Sequence, residues 1–273
     1  MKSPIVSAKW LIENLEDPTL IILDASQQVN QIKVASQFQG FQIKAARFFD
    51  IKNDFSDTNN PLPNTLPTAH IFTAAAQKLG INSDSKIVIY DSLGIYSSPR
   101  AWWLFTIMGH ENVWVLDGGL PAYAKENLPL EPTGKRVYAK GNFEAHFNPE
   151  TVKTKEQVLL NIQTREAILI DARSNDRFTG ETEEPRAGLR SGHIPGSSNI
   201  PYTDMLRDGH FLTKEELVKV LPQHNKPMYF SCGSGVTACI DLMAYEIIGN
   251  NNPKAIYDGS WTEWGQIASL PIA

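Results

Sequence analysis

Sulfur is scarce in this chain, which holds two cysteines among 273 residues, Cys232 and Cys239. They lie close together, so neither can staple a distant loop, and a disulfide scaffold is excluded as the source of stability. There is no excess of positive charge either. The formal net charge of -5 gives no global reason to expect nucleic acid or an anionic membrane as a partner. No stretch approaches the roughly 18 apolar residues of a membrane span. The start, Met1-Lys2-Ser3-Pro4-Ile5-Val6, lacks the regions of a signal peptide and has too little arginine for a transit peptide, so a cytoplasmic location is expected. The histidines His70, His110, His146, His193, His210 and His224 show no metal-ligand spacing. What is present is a composition of 42% hydrophobic residues, enough for one large domain or two of ordinary size.

The chain repeats itself. Lys86-Ile87-Val88-Ile89-Tyr90-Asp91 answers Pro227-Met228-Tyr229-Phe230-Ser231-Cys232, and Val115-Leu116-Asp117-Gly118-Gly119 answers Ile256-Tyr257-Asp258-Gly259-Ser260 at the same offset. Between the members of each pair the pattern predicts a helix, over 99–108 and 238–248. Ile22-Leu23-Asp24-Ala25 also matches Leu169-Ile170-Asp171-Ala172. Two similar halves follow. Short β-branched or aromatic strands alternate with amphipathic helices, which predicts an α/β fold of two tandem domains, each a mostly parallel sheet covered by helices on both faces. The expected boundaries are 1–130 for the first domain, 131–150 for a polar, turn-rich linker and 151–273 for the second.

Cys232 ends an apolar strand, and the chain then turns through Gly233 and Gly235 into a helix starting near Thr237. Glycines let successive N–H groups turn inward around the sulfur, and the positive end of the helix adds to them, so the thiolate is favoured over the thiol. In open α/β sheets ligands bind beyond the carboxyl ends of the strands, where this loop falls. The first half has Asp91 in that place. A carboxylate cannot accept and pass on sulfur, so one active site per chain is expected. Other chemistries fit less well. Residues 233–238 match the G-x-G-x-x-A dinucleotide pattern, but too little chain remains for a second nucleotide-binding half. A cysteine phosphatase needs a fixed arginine fork, and residues 233–239 contain no Arg or Lys. No histidine is identifiable as the base of a thiol protease. Cys239, on an apolar helix, reads as a buried structural thiol, with a resolving thiol as the alternative.

Arg173, Arg177, Arg186 and Arg190 crowd one stretch of an acidic protein. Planar guanidinium groups suit a carboxylate bidentately. Pairing with Asp176, Glu181, Glu183 and Glu184 is an equally good reading of composition alone.

With Ser97-Ser98-Pro99-Arg100-Ala101-Trp102-Trp103, Leu116-Asp117-Gly118-Gly119-Leu120, Gly192-His193-Ile194-Pro195-Gly196 and Tyr257-Asp258-Gly259-Ser260-Trp261, nearly the whole chain resembles the two-domain sulfurtransferases of the rhodanese superfamily. The loop at 232–238 is similar to that of members using 3-mercaptopyruvate, whereas thiosulfate-specific members carry basic residues right after the cysteine. The resemblance implies Cys232 as the sulfur carrier and Arg177 and Arg186 as holders of the donor's carboxylate and keto oxygen. It also implies Ser234 as a proton-handling hydroxyl and Gly233, Gly235, Val236 and Thr237 as the binding loop. Implied, too, are a thiol acceptor such as thioredoxin, or cyanide, and no metal or organic cofactor. Members of the family commonly carry a histidine where this chain has Gln42, and an aspartate where it has Gln31, so a serine–histidine–aspartate relay does not carry over. Thiosulfate as donor, or a non-enzymatic persulfide carrier, are the alternatives.

Overall fold

Uninterrupted apolar runs such as Ile87-Val88-Ile89 suit strands covered on both faces, and they become interior strands here. The computed structural model describes residues 3–27 and 34–273. The chain divides into two units. The first comprises the chain up to Asp57, Leu66–Phe147 and Asp208–Phe211; the second comprises Thr58–Thr65, Asn148–Arg207 and Leu212–Ala273. Residues 131–147 thus cluster with the first unit, where Phe143 is buried and its N–H donates to Ile81 O at 3.1 Å.

The sheet of the first unit runs Ile5–Val6, Val113–Leu116, Lys86–Tyr90, Leu20–Asp24, Arg47–Phe48, with every neighbouring pair parallel. That of the second runs Val152–Lys153, Lys254–Tyr257, Met228–Ser231, Ile168–Asp171, Ser198–Asn199, again all parallel. Counted along the chain within each unit, the two orders are identical, so the sequence repeat is a repeat of topology. Helices flank both sheets, as the period-2 alternation of strand side chains demands. In the second unit Leu169, Tyr229 and Tyr257 pack with Val158, Trp261 and Trp264 on one face. Phe230 points the other way, onto Tyr245 of the helix Ala238–Ile247. Trp261 and Trp264 are fully buried, and their indole N–H groups donate to Arg190 O and Pro271 O.

Local chemistry sets the helix starts. Thr154 and Thr213 each form a capping box, with Gln157 and Glu216, ahead of Lys155–Thr164 and Lys214–Val220. The two helices predicted by the repeat are observed at Ser98–Ile107 and Ala238–Ile247. Among the described residues no helix is long and apolar enough to cross a membrane.

Candidate active site

The strand Met228–Ser231 delivers Cys232 to the carboxyl edge of its sheet, where the residue is 2% exposed. The following loop reverses through Gly235, whose φ of +74° only glycine adopts without strain, and the helix Ala238–Ile247 starts just beyond. The turn after the strand Lys254–Tyr257 fastens this loop from below. Cys232 N–H donates to Ser260 Oγ at 3.2 Å, and Ser260 Oγ donates to Tyr257 O at 2.8 Å. Trp261 N–H donates to Cys232 O at 2.9 Å, and Thr262 donates to Gly233 O through its N–H at 2.9 Å and its Oγ1 at 2.5 Å. Ser260 sits at φ +49°, while its counterpart in the first unit, Gly119, has φ +53°. A left-handed serine is strained. Glycine serves in the first unit, and the second accepts the strain in exchange for a hydroxyl that holds the cysteine's own amide.

The four arginines separate into two kinds. Arg173 is fully buried, forks onto Asp171, reaches Glu184 and Gly192 O, and lies 4.2 Å above the Trp261 ring. Arg190 donates to the carbonyls of Trp264, Gly265, Ile267 and Leu270. Both are structural. Arg177 shares Glu184, at 2.6 Å, and remains 22% exposed. Its Nη2 lies 3.1 Å from where a Cβ on residue 233 would sit, so the guanidinium rests against the loop and a side chain there would displace it by a few tenths of an ångström. Arg186 donates to Thr262 Oγ1 at 3.1 Å and to Ser234 Oγ at 3.4 Å. Arg177 and Arg186 therefore both face the Cys232 loop. Of the four acidic residues that composition offered as partners, Glu184 is the one seen bridging Arg173 and Arg177.

Ser234 is 6% exposed and Val236 is equally buried, while Thr237 stands at the N-terminal boundary of the helix that follows, with no capping hydrogen bond from its side chain. Ser234 Oγ also accepts from Asn64 Nδ2 at 3.2 Å. Cys239 is fully buried, with its Sγ 3.4 Å from Gly235 O. Tyr202 lies close enough to feel the site: burial pushes its hydroxyl up, Arg177 pulls it down, and charge at Cys232 adds to the rise. Beneath the loop, Asp241 is fully buried and neither carboxyl oxygen has a hydrogen-bond partner among the described residues. Burial raises its pKa well above the ordinary carboxylate range, and charge at Cys232 pushes in the same direction.

In the first unit Asp91 occupies the equivalent loop. Its Oδ1 accepts from Leu93 N–H, and its Oδ2 accepts from the N–H groups of Tyr96, Ser97 and Ser98 and from Ser98 Oγ, at 2.7 to 3.0 Å. The loop amides turn inward onto a resident carboxylate. Burial pushes that carboxyl up against the pull of these donors. Gln42 is also committed within the first unit, donating to Ala46 O and Glu131 Oε1, each at 2.9 Å. Gln31 lies outside the described residues.

Sequence reasoning missed Asn64, Thr262 and Ser260. Only Ser260 had a readable signal, the replacement of Gly119 by serine across the repeat. Nothing in the pattern around Asn64 or Thr262 announces a contact with Ser234 or Gly233.

Known proteins resemble this chain over nearly its whole length. The Rhodanese-like domain model matches twice, over residues 7–126 and 154–267. The chain is 41% identical over 274 residues to a 3-mercaptopyruvate sulfurtransferase of Escherichia coli K12, covering 98% of this chain and 96% of that protein. It is 40% identical over 299 residues to the mitochondrial thiosulfate/3-mercaptopyruvate sulfurtransferase 1 of Arabidopsis thaliana, covering 98% of this chain and 78% of that one. The crystal structure of SseA from Escherichia coli superposes with a TM-score of 0.83 at 38% identity, covering 95% of this chain and 99% of that one.

Proposed function

Because this chain belongs to the rhodanese-like family through both of its halves and is a sulfurtransferase, we propose that Cys232 carries the sulfur and that 3-mercaptopyruvate supplies it. The observation that supports this donor is the convergence of Arg177 and Arg186 on the Cys232 loop across Gly233. A Cβ at 233 would stand 3.1 Å from the Arg177 guanidinium, so this cation lies directly against the loop, where the remote carboxylate of such a donor would meet it.

In this reading Arg177 and Arg186 hold the carboxylate and keto oxygen of the donor. Cys232 Sγ attacks the donor's sulfur, the carbon–sulfur bond breaks, and its electron pair leaves as the pyruvate enolate. Protonation at carbon gives pyruvate. The loop's N–H groups serve the new persulfide as those of the first unit serve the Asp91 carboxylate. An acceptor thiolate, on thioredoxin or a small thiol, then attacks the outer sulfur, the sulfur–sulfur bond breaks, and Cys232 is restored. The boundaries 1–130, 131–150 and 151–273 remain our proposed division, with a non-catalytic first domain and a catalytic second one. A cytoplasmic setting suits an acceptor of this kind.

Intact mass after mixing with 3-mercaptopyruvate tests the scheme. A gain of one sulfur that is lost in Cys232→Ser supports it, and no gain refutes it. Side-by-side turnover with thiosulfate tests the donor, since faster use of thiosulfate would overturn the mercaptopyruvate assignment. Arg177→Ala or Arg186→Ala is expected to weaken substrate use by about 1.5–3 kcal/mol for each charged hydrogen-bonded contact.

A further inference from the structure

Gly192-His193-Ile194-Pro195-Gly196 takes no part in the chemistry above, yet it stands against the turn that carries Arg177. Arg177 rides on the helix Asn175–Thr179, which spans 5 residues, buries none of them and receives no capping hydrogen bond from the side chain of Ser174. A helix so short has too few backbone bonds to hold itself in place. Its position therefore depends on what grips it from outside. Glu184 grips the tip of Arg177, with Oε2 accepting from Nη2 at 2.6 Å and Oε1 from Nε at 3.2 Å. The grip on the backbone comes from His193.

The His193 ring lies over that of Phe178, with centroids 3.8 Å apart and planes inclined by 14°. Its Nδ1 is 2.9 Å from Phe178 O. A carbonyl oxygen can only accept, so Nδ1 carries the proton and the ring donates. His193 is itself fastened to the interior. Its N–H donates to Ala273 O at 2.9 Å, Ala273 N–H donates back to His193 O at 3.0 Å, and the next residue, Ile194, is buried in the core with Val158 and Leu169. On the other side, Gly192 O accepts from Arg173 Nη2 at 2.9 Å. Gly192 has φ +107°, and a Cβ there would lie 2.5 Å from Ala273 O, so this close approach requires glycine.

We infer that His193 is a positioning residue for donor binding: by stacking on Phe178 and donating to its carbonyl, it fixes the backbone from which Arg177 reaches the Cys232 loop. This inference rests on the reading that Arg177 holds the donor's carboxylate. Nε and Nη2 of Arg177 are directed to Glu184, so the guanidinium is set at its tip by Glu184 and at its root by the helix that His193 clasps. With the root released, the helix samples several positions, and the donor must select one of them as it binds. His193 touches neither the donor nor the sulfur, so the bond-breaking step itself does not depend on it.

The experiment measures kcat and KM for 3-mercaptopyruvate in wild type, His193→Ala, Arg177→Ala and the double variant, together with alkylation of Cys232 by iodoacetamide, a neutral reagent with no carboxylate to be held. In His193→Ala, KM is expected to rise about 10-fold, below the roughly 100-fold that a misplacement of about 1 Å can cost, with kcat and the alkylation rate within about threefold of wild type. In the Arg177→Ala background the same change should move KM by less than about twofold, because a residue that acts through Arg177 has nothing left to position. A KM within about twofold of wild type in His193→Ala overturns the inference. So does a rise that persists in full without Arg177, or one matched by an equal fall in alkylation, since either marks a general loosening of the second unit. Should the alanine variant fail to fold, His193→Asn, which gives up the ring, and His193→Phe, which gives up the donor, carry the test. A normal KM in both overturns the inference, and a raised KM in either that vanishes beside Arg177→Ala supports it. An unchanged KM in Arg177→Ala takes the carboxylate assignment down as well, whereas an impaired Arg177→Ala beside an unaffected His193→Ala removes only the role of His193.

Discussion

Asp241→Asn is expected to stabilise the second unit, by an amount that grows with pH. Asp241 is fully buried on the helix Ala238–Ile247, both its oxygens lack a hydrogen-bond partner among the described residues, and burial raises its pKa well above 3.8. Charge at Cys232, Asp171 and Asp204 pushes the same way. The folded state therefore holds a proton that the unfolded chain releases above its ordinary carboxylate value. Wherever the folded state binds more protons than the unfolded state, stability falls as pH rises. The loss starts near pH 4 and continues for as long as Asp241 stays protonated in the folded state, with a limiting slope of about 1.4 kcal/mol per pH unit. Asparagine has the same shape and does not titrate. Near pH 4 the two proteins should differ little; above it the variant should gain at up to about 1.4 kcal/mol per pH unit for as long as Asp241 stays protonated in the folded wild type. Asp241→Leu, which also replaces an unsatisfied polar group, should add a pH-independent gain of about 1–3 kcal/mol. Urea unfolding of the three proteins across that range reads the difference directly. Curves for wild type and Asp241→Asn that run parallel with pH would refute the reasoning, because they would mean that Asp241 ionises in place without penalty.

Three further outcomes follow from the same geometry. Glu184→Gln leaves Arg173 and Arg177 without the carboxylate they share, whose side chain is 2% exposed; a loss of about 3–5 kcal/mol in chemical denaturation is expected, and a loss below about 1 kcal/mol would show that the network is not a stabilising unit. At Ser260 the usual preference for alanine over glycine should reverse: Ser260→Gly relieves the left-handed strain while Ser260→Ala retains it, so thermal unfolding should place the alanine variant lower by about 1–2 kcal/mol, with both reducing sulfur loading because Cys232 N–H loses its acceptor. Asp91→Ala strands the buried donors of Leu93, Tyr96, Ser97 and Ser98; a loss on the order of 3 kcal/mol or more is expected, partly reversed by formate, and indifference to formate would show that the loop relaxes instead of remaining an anion cradle.

Much of the fold was legible in the residues because its determinants are local or repeated. Apolar runs such as Val113-Trp114-Val115-Leu116 mark strands buried on both faces, and the second half repeats the first strand for strand, so one half checks the other. Cys232 was legible for the same reason: a thiol between an apolar strand and a glycine turn is a local pattern. The arginines were only half legible. Composition placed four cations near the site, but Arg173 and Arg190 are consumed by Asp171, Glu184 and backbone carbonyls, and a one-dimensional pattern carries no information about which side of a fold each guanidinium faces.

The sequence by itself determined the α/β class, the duplication and the sulfur atom on which the chemistry turns, since these depend on propensity and periodicity over a few residues. Only the tertiary structure decided what surrounds that atom. Ser234 takes its hydrogen bonds from Asn64 and Arg186, 170 and 48 positions away, and the Cys232 amide rests on Ser260, 28 positions away. Contacts that distant arise from how sheet and helices pack, and a hydrogen bond is directional over about 3 Å, so the pattern of neighbours along the chain cannot specify them.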